Sequence, residues 1–291
     1  MSQTLETAQL SAEENSRFVQ TDPYRIHYYE LGDRSARTVV LLHGSGPGAT
    51  GWSNFLPNLA ALAESFHVFS VDMPGWGESE TQSAEKGYDH PATLIKFFDA
   101  VGIDKAALIG NSMGGMTSVS TAVRFPERVT HLVTMGTPCP GIDVFNATGV
   151  SEGMKVLLHA YREPTAENMK KLVQIMCYDQ SMATDELAQM RSDAALAHTS
   201  HLDDYNRPDP TKPPVSNPGY FTFIPQLAEL AIPTLTIHGR DDRVVSYEHS
   251  LRFVSLIPDA RALLIGKCGH WAQIEHAAEF NRAVTDFVLN A

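Results

Sequence analysis

Ala107-Leu108-Ile109-Gly110-Asn111-Ser112-Met113-Gly114-Gly115 reads as the end of a strand, a sharp turn and the start of a helix. The apolar run stops at Ile109, and from Gly115 to Arg124 apolar residues return every three or four positions, the spacing of one helix face. Between them residues 110–114 carry the pattern G-x-S-x-G. Glycines on both sides of Ser112 let the backbone turn tightly and lift the hydroxyl above the strand end. The peptide N–H of Met113 opens the helix, so it lacks an intrahelical partner and faces negative charge developing beside Ser112.

Short apolar and β-branched runs recur on either side of this turn: Thr38 to Leu42, His67 to Val71, Ala106 to Ile109, His131 to Met135, Thr234 to Ile237 and Ala262 to Ile265. Near-continuous apolar strands belong in a parallel sheet covered on both faces. Segments with helical spacing separate them, among them Ala92 to Val101, Gly115 to Arg124, Glu248 to Leu256 and His276 to Leu289. This alternation predicts an α/β fold with a mostly parallel, doubly wound sheet. Ahead of it, Arg17 to Gly32 reads as two strands about an Asp22-Pro23 turn, an antiparallel edge. The rhythm breaks between Pro140 and Pro218. Glu152 to Tyr161, Glu167 to Met176 and Asp185 to His198 are amphipathic helices with no strand between them, and five prolines from Asn206 to Pro218 mark a connector. The expected organisation is a first core part over residues 1–139, an inserted helical cap over 140–218 and a second core part over 219–291.

A hydroxyl is a weak nucleophile until a base takes its proton, so Ser112 needs a histidine. Of twelve, His270 in Lys267-Cys268-Gly269-His270-Trp271 follows the last strand and precedes the last helix, where open α/β sheets place their sites. The imidazole in turn needs a carboxylate to fix its tautomer, and Gly239-Arg240-Asp241-Asp242-Arg243 offers two at another strand end. Asp242 is favoured because the G-x-x-D spacing carries it past the strand; Asp241 is left to solvent or an arginine. His43-Gly44-Ser45-Gly46-Pro47-Gly48 follows the strand at Thr38 to Leu42 and offers a second N–H to an oxyanion, with His43 shaping the loop. Gly44-x-Gly46-x-x-Ala49 nearly fits a dinucleotide fingerprint, but Pro47 and Pro57 suit a short loop and no ribose-binding acid follows at the right distance. There is no phosphate loop, no H-E-x-x-H and no paired Cys/His cluster, so neither a cofactor nor a metal is expected.

The chain has 291 residues, 43% hydrophobic and 19% charged, enough for one large core with an inserted subdomain. A net charge of −12 opposes binding to phosphate backbones or anionic lipid, so no nucleic-acid or membrane partner is expected. Met1 to Asn15 has neither the basic start nor the apolar run of a secretory signal, and no stretch approaches the roughly 18 apolar residues of a membrane span. Cys139, Cys177 and Cys268 form no Cys-x-x-Cys pair and read as reduced thiols, which with the missing signal predicts a cytoplasmic protein.

Four stretches taken together are more restrictive than G-x-S-x-G alone: His43-Gly44-Ser45-Gly46-Pro47-Gly48-Ala49 with Gly51-Trp52-Ser53-Asn54, Gly110-Asn111-Ser112-Met113-Gly114-Gly115, Gly239-Arg240-Asp241-Asp242-Arg243, and Cys268-Gly269-His270-Trp271-Ala272-Gln273. Through them, over nearly its whole length, the chain resembles the meta-cleavage product hydrolases of aromatic-ring and steroid degradation. These are carbon-carbon bond hydrolases of the α/β-hydrolase superfamily acting on vinylogous 1,5-diketones, and the order Ser, Asp, His suits that superfamily.

The resemblance implies a 2-hydroxy-6-oxo-hexa-2,4-dienoate substrate, ketonised and then hydrolysed at C6 to a carboxylic acid and a 2-hydroxy-2,4-dienoate. It implies Ser112, Asp242 and His270 as catalytic residues, with Ser45 and Met113 as oxyanion N–H donors. Gly44, Asn54, Asn111, Arg191 and Trp271 would bind the substrate, and Leu157, Met176 and Val244 would line a distal pocket. Without the resemblance Arg191 is a basic residue on a polar helix; with it, Arg191 is the local cation that an acidic protein needs to grip a carboxylate in two-pronged fashion. Ser45 stands where the family usually has glycine, and a homodimer or higher homo-oligomer is the family's habit. A carboxylesterase or lactonase would use the same triad without needing Arg191 and Trp271, and a non-catalytic receptor on the same fold would not need Ser112, Asp242 and His270 intact.

Overall fold

A computed structural model describes residues 10–145, 150–206 and 217–291. Its strands are β1 (Ser16–Gln20), β2 (Arg25–Leu31), β3 (Thr38–Leu42), β4 (His67–Val71), β5 (Ala106–Asn111), β6 (Val129–Met135), β7 (Thr234–Gly239) and β8 (Ala260–Ile265). They form one sheet in the order β1-β2-β4-β3-β5-β6-β7-β8. β1 and β2 run antiparallel to each other and β2 antiparallel to β4, while the rest of the sheet is parallel. The antiparallel edge and the doubly wound body both follow the expectation.

Successive side chains of a strand point to opposite faces, and the core divides accordingly. Val40, Leu42 and Leu108 pack on one side with Leu94, Phe97, Phe98 and Val119. Val39, Leu41, Ala107 and Ile109 pack on the other with Phe55, Leu59, Phe280 and Val284. β5 and β7 are buried at every residue, which is why their sequences read as continuous rather than alternating runs.

Two helices depart from the sequence reading. Pro57 lies inside a helix over Gly51–Ala63, not in a loop. Thr50 and Ser53 close a reciprocal capping box at its start, and burial of Phe55, Leu59 and Leu62 outweighs the one hydrogen bond that proline forgoes. After the three expected helices between β6 and β7, Glu152–Arg162, Ala166–Met176 and Asp185–Ala197, a fourth covers Thr199–Asn206. Ser151, Thr165 and Thr184 cap the first three through their side chains. Leu157, Tyr161, Met169, Leu172 and Val173 bury a third cluster together with Val244, Val245 and Trp271 from the loops above the sheet. Most of the proline-rich connector, residues 207–216, lies outside the described residues.

The helix after β5 lies so close to the sheet that a Cβ on Gly114 would stand 2.0 Å from Leu42 O. Gly114→Ala is therefore expected to lose about 3 kcal/mol of unfolding free energy, read from urea melts. A variant as stable as the parent would mean that the helix has room to shift.

Candidate active site

Ser112 stands between β5 and the Met113–Arg124 helix with φ 51° and ψ −113°. A non-glycine residue there costs about 1–3 kcal/mol and persists only where its surroundings fix it. Its N–H donates to Met135 O at 2.7 Å and its carbonyl accepts from Met116 N–H at 2.9 Å, so the turn is held from both sides.

Asp242 is buried past the end of β7. One oxygen accepts from His270 Nδ1 at 2.7 Å and lies 3.2 Å from His238 Nε2; the other accepts the N–H groups of Val244 and Val245 at 2.7 and 3.0 Å. Burial alone would raise its pKa, but the charge of His270 and the hydrogen bonds from both imidazoles prevail and hold the carboxyl well below its usual range. Asp241 turns away, beside Arg240 at 3.2 Å and accepting the Lys267 N–H, as its neighbour's role required. Gly136, at φ +52°, passes so close that a Cβ there would stand 2.7 Å from His270 Nδ1.

Sequence reasoning missed His238 and Glu275. His238 occupies the last turn-facing position of β7, hidden because the apolar run ends at Ile237; its Nδ1 pairs with Ser250 Oγ at 2.7 Å. Glu275 accepts the N–H groups of Gly269, Tyr178 and Asp179, tying the loop of His270 to the end of the Ala166–Met176 helix. The His270 N–H also donates to Met176 O at 2.6 Å. A glutamate six residues past Gly269, at the end of the short helix Ala272–Glu275 and beside a loop that needs its backbone satisfied, is the signal that was present.

Gly44, Ser45, Asn54, Asn111, Ser112, Arg191, His270 and Trp271 converge on one narrow site with only about 10 Å³ of free space. His43 holds the oxyanion-side loop in place, its Nε2 accepting from Met73 N–H at 3.0 Å. Ser45 also lines a much larger cavity of about 660 Å³, and Met113 lies on that cavity's wall. Met176 borders the narrow site instead of a distal pocket. Leu157 and Val244 line neither space. They are buried in the third cluster, where Gly153 approaches so closely that a Cβ on it would stand 2.6 Å from the Val244 side chain. Trp76, Tyr161, Tyr205 and Tyr220 form the wide cavity's wall in their place.

Two polar groups in the narrow site lack protein partners. Arg191 is buried with its guanidinium 5.1 Å over the Trp271 ring, and its Nε meets no acceptor. No acidic side chain among the described residues pairs with it, and burial pushes its pKa down. Asn111 Oδ1 is likewise buried without a donor, while its Nδ2 donates to Met135 O at 3.3 Å. An anion that carries a hydroxyl would satisfy both groups.

Away from this site Asp143, Glu248 and His249 lie close enough to share a cation. Glu248 is already occupied by the N–H groups of Val144 and Phe145, His249 Nδ1 by that of Cys139, and Arg252 sits beside both acids. The group is a clamp on residues 139–145, not a vacant ligand set.

Residues 39–283 match the alpha/beta hydrolase family. A 2-hydroxy-6-oxononadienedioate/2-hydroxy-6-oxononatrienedioate hydrolase of Cupriavidus pinatubonensis is 42% identical over 271 residues, covering 92% of this chain and 91% of the relative. A hydrolase of the same name from Pseudomonas putida is 42% identical over 97% of this chain and 99% of its own. The crystal structure of a meta-cleavage product hydrolase from Pseudomonas fluorescens IP01 aligns with a TM-score of 0.82 at 32% identity, covering 94% of this chain and 98% of that one. The chain is a meta-cleavage product hydrolase of the alpha/beta hydrolase family. That family membership accounts for the eight-stranded, mostly parallel sheet with helices on both faces.

Asp242→Asn is expected to lower kcat by about 10³–10⁴-fold, since an amide cannot hold the His270 tautomer. Because the Asp242 carboxyl titrates lower in the folded chain than in the unfolded one, its contribution to stability is complete above about pH 4 and is lost as the pH falls below that. Urea melts across pH 2–6 should therefore show a shallower acid limb in the variant. An unchanged limb would mean that Asp242 is not held as its contacts indicate.

Proposed function

We propose that this chain hydrolyses the C5–C6 bond of a 2-hydroxy-6-oxo-hexa-2,4-dienoate formed by ring cleavage of an aromatic compound. The observation that carries the reading is the buried, unpaired Arg191 guanidinium lining the same narrow site as Ser112. An ordinary esterase has no use for such a group, and leaving it uncompensated destabilises the fold.

In this reading the substrate carboxylate lies on Arg191, packed by Trp271, and the 2-hydroxyl donates to Asn111 Oδ1. Asn54 and Gly44 complete the wall, and the tight fit of Gly44 against Asn111 leaves no space for a side chain. The enol proton leaves O2 and a proton is delivered to C5, with His270 the shuttle, giving a 2,6-diketone. Attack at C6 by the oxygen activated at Ser112 places negative charge on the C6 oxygen, facing the N–H groups of Ser45 and Met113. The C5–C6 bond then breaks, its electron pair is delocalised onto O2, and water ends as part of the carboxylic acid. The second product is the 2-hydroxy-2,4-dienoate. Asp242 keeps His270 oriented and compensates its positive charge throughout.

Residues 1–139 and 219–291 serve as the catalytic core and residues 140–218 as the cap that closes over the substrate. Three buried free cysteines support a cytoplasmic placement, and among the described residues no helix is long and apolar enough to cross a membrane. The position of β8 at the end of the strand order, with Leu264 exposed on it and Leu251 and Val254 exposed on the preceding helix, supports assembly into a homodimer or larger homo-oligomer.

Stopped-flow absorbance should show rapid bleaching of the yellow dienoates, slowed at least about 10³-fold in Ser112→Ala. Arg191→Gln should raise KM for the dienoate about 10–100-fold, with a much smaller change for p-nitrophenyl acetate, which brings no carboxylate. Turnover of the ester alone would sink the carbon-carbon reading.

A further inference from the structure

With the substrate carboxylate fixed on Arg191 and C6 at Ser112, the group attached to C6 points past Ser45 and Met113 into the wide cavity. That cavity holds about 660 Å³, roughly four times the ~150 Å³ that a benzene ring occupies snugly. Aromatic side chains supply much of its wall, interleaved with glycines and alanines and with the polar Gln82 and Asn217. Tyr161 and Tyr205 stack at 3.6 Å between centroids, and the hydroxyl of Tyr161 accepts from Trp76 Nε1 at 3.2 Å. The Tyr220 hydroxyl donates to Pro138 O, so this phenol too presents its ring and not its polar end.

Among the described residues that line it there is no lysine or arginine; its carboxylates are Glu78, at the rim, and Asp204, which accepts from the Tyr88 hydroxyl at 3.0 Å. His198 Nε2 lies 3.1 Å from the Glu78 carboxylate. Burial lowers the pKa of His201, whose Nε2 bonds Gly77 O and whose Nδ1 bonds Thr81 Oγ1, so it adds no cation at neutral pH. A carboxylate at the end of the C6 group would lose water among aromatic side chains and meet no lysine or arginine of the described lining.

We infer that this enzyme's substrates carry a large, uncharged, ring-bearing group on C6, and that a carboxylate-ended chain, as in the dioates named for its 40%-identical relatives, is disfavoured. The inference rests on the carbon-carbon reading above and specifies the substrate class for that site.

The test is stopped-flow kcat/KM for the full chain with four dienoates, carrying 6-methyl, 6-phenyl and 6-naphthyl groups and the 2-hydroxy-6-oxononadienedioate. The 6-phenyl and 6-naphthyl compounds should exceed 6-methyl, and the dioate should fall at least about 100-fold below 6-phenyl. Glu78→Lys, at an exposed rim position and used only if its urea midpoint matches the parent's despite the loss of the His198 contact, should raise kcat/KM for the dioate about tenfold and leave the dioate-to-phenyl gap correspondingly smaller. A dioate turned over as well as 6-phenyl, or a 6-methyl compound as good as 6-naphthyl, overturns the inference while leaving the carbon-carbon reading intact. If no dienoate is bleached and p-nitrophenyl acetate is hydrolysed, the carbon-carbon reading falls and this inference with it.

Discussion

The distance between one helix and the sheet beneath it governs the rest of this molecule. Where the Met113–Arg124 helix meets β3, only hydrogen atoms separate Gly114 from the carbonyl of Leu42. That contact forces the chain between β5 and the helix into its strained turn, and the turn is what places the Ser112 hydroxyl and the Met113 N–H above the strand ends. β6 and β7 then bring Gly136 and Asp242 up beside it at the one spacing that His270 can bridge. A looser helix would leave the same residues present and their geometry lost.

The space above the sheet is divided electrostatically. At one end a buried guanidinium and an unpaired amide oxygen crowd a site barely large enough for a water molecule; at the other, aromatic walls and two acids surround a cavity dozens of times larger. Ser45 belongs to both, so the oxyanion corner is the waist between them. In the proposed reaction the polar end would meet what every substrate shares, and the wide end what differs. His270 lies on the polar side of the waist, tied through its own backbone to Met176 of the helical insertion. The insertion therefore cannot lift at that point without disturbing the base.

The α/β class and the mostly parallel sheet were legible because β3, β5, β6 and β7 are buried on both faces and so show unbroken apolar runs, with helical periodicity between them. Ser112, Asp242 and His270 were legible because each sits just past a strand end, in a loop whose glycines mark close approaches. Pro57 misled, because a proline signals its lost hydrogen bond locally while the compensating burial of Phe55 and Leu59 is tertiary. Leu157 and Val244 misled for a related reason: apolar residues on an amphipathic insertion can face either a ligand or one another, and here they face one another. The aromatic wall was not foreseen because Trp76, Tyr161 and Tyr220 come from three distant parts of the chain, and no local pattern announces that they meet.

Arg191 has a consequence for the order of events in the proposed reaction. The dienoate product keeps the carboxylate and the 2-hydroxyl that Arg191 and Asn111 address, and loses only the group held in the wide cavity. Those contacts thus grip reactant and product alike, and so do nothing to lower the chemical barrier. On leaving, the dienoate must bare a desolvated cation that no acidic side chain among the described residues compensates. In the proposed reaction that would make egress of the dienoate, more than scission of the carbon-carbon bond, the brake on turnover.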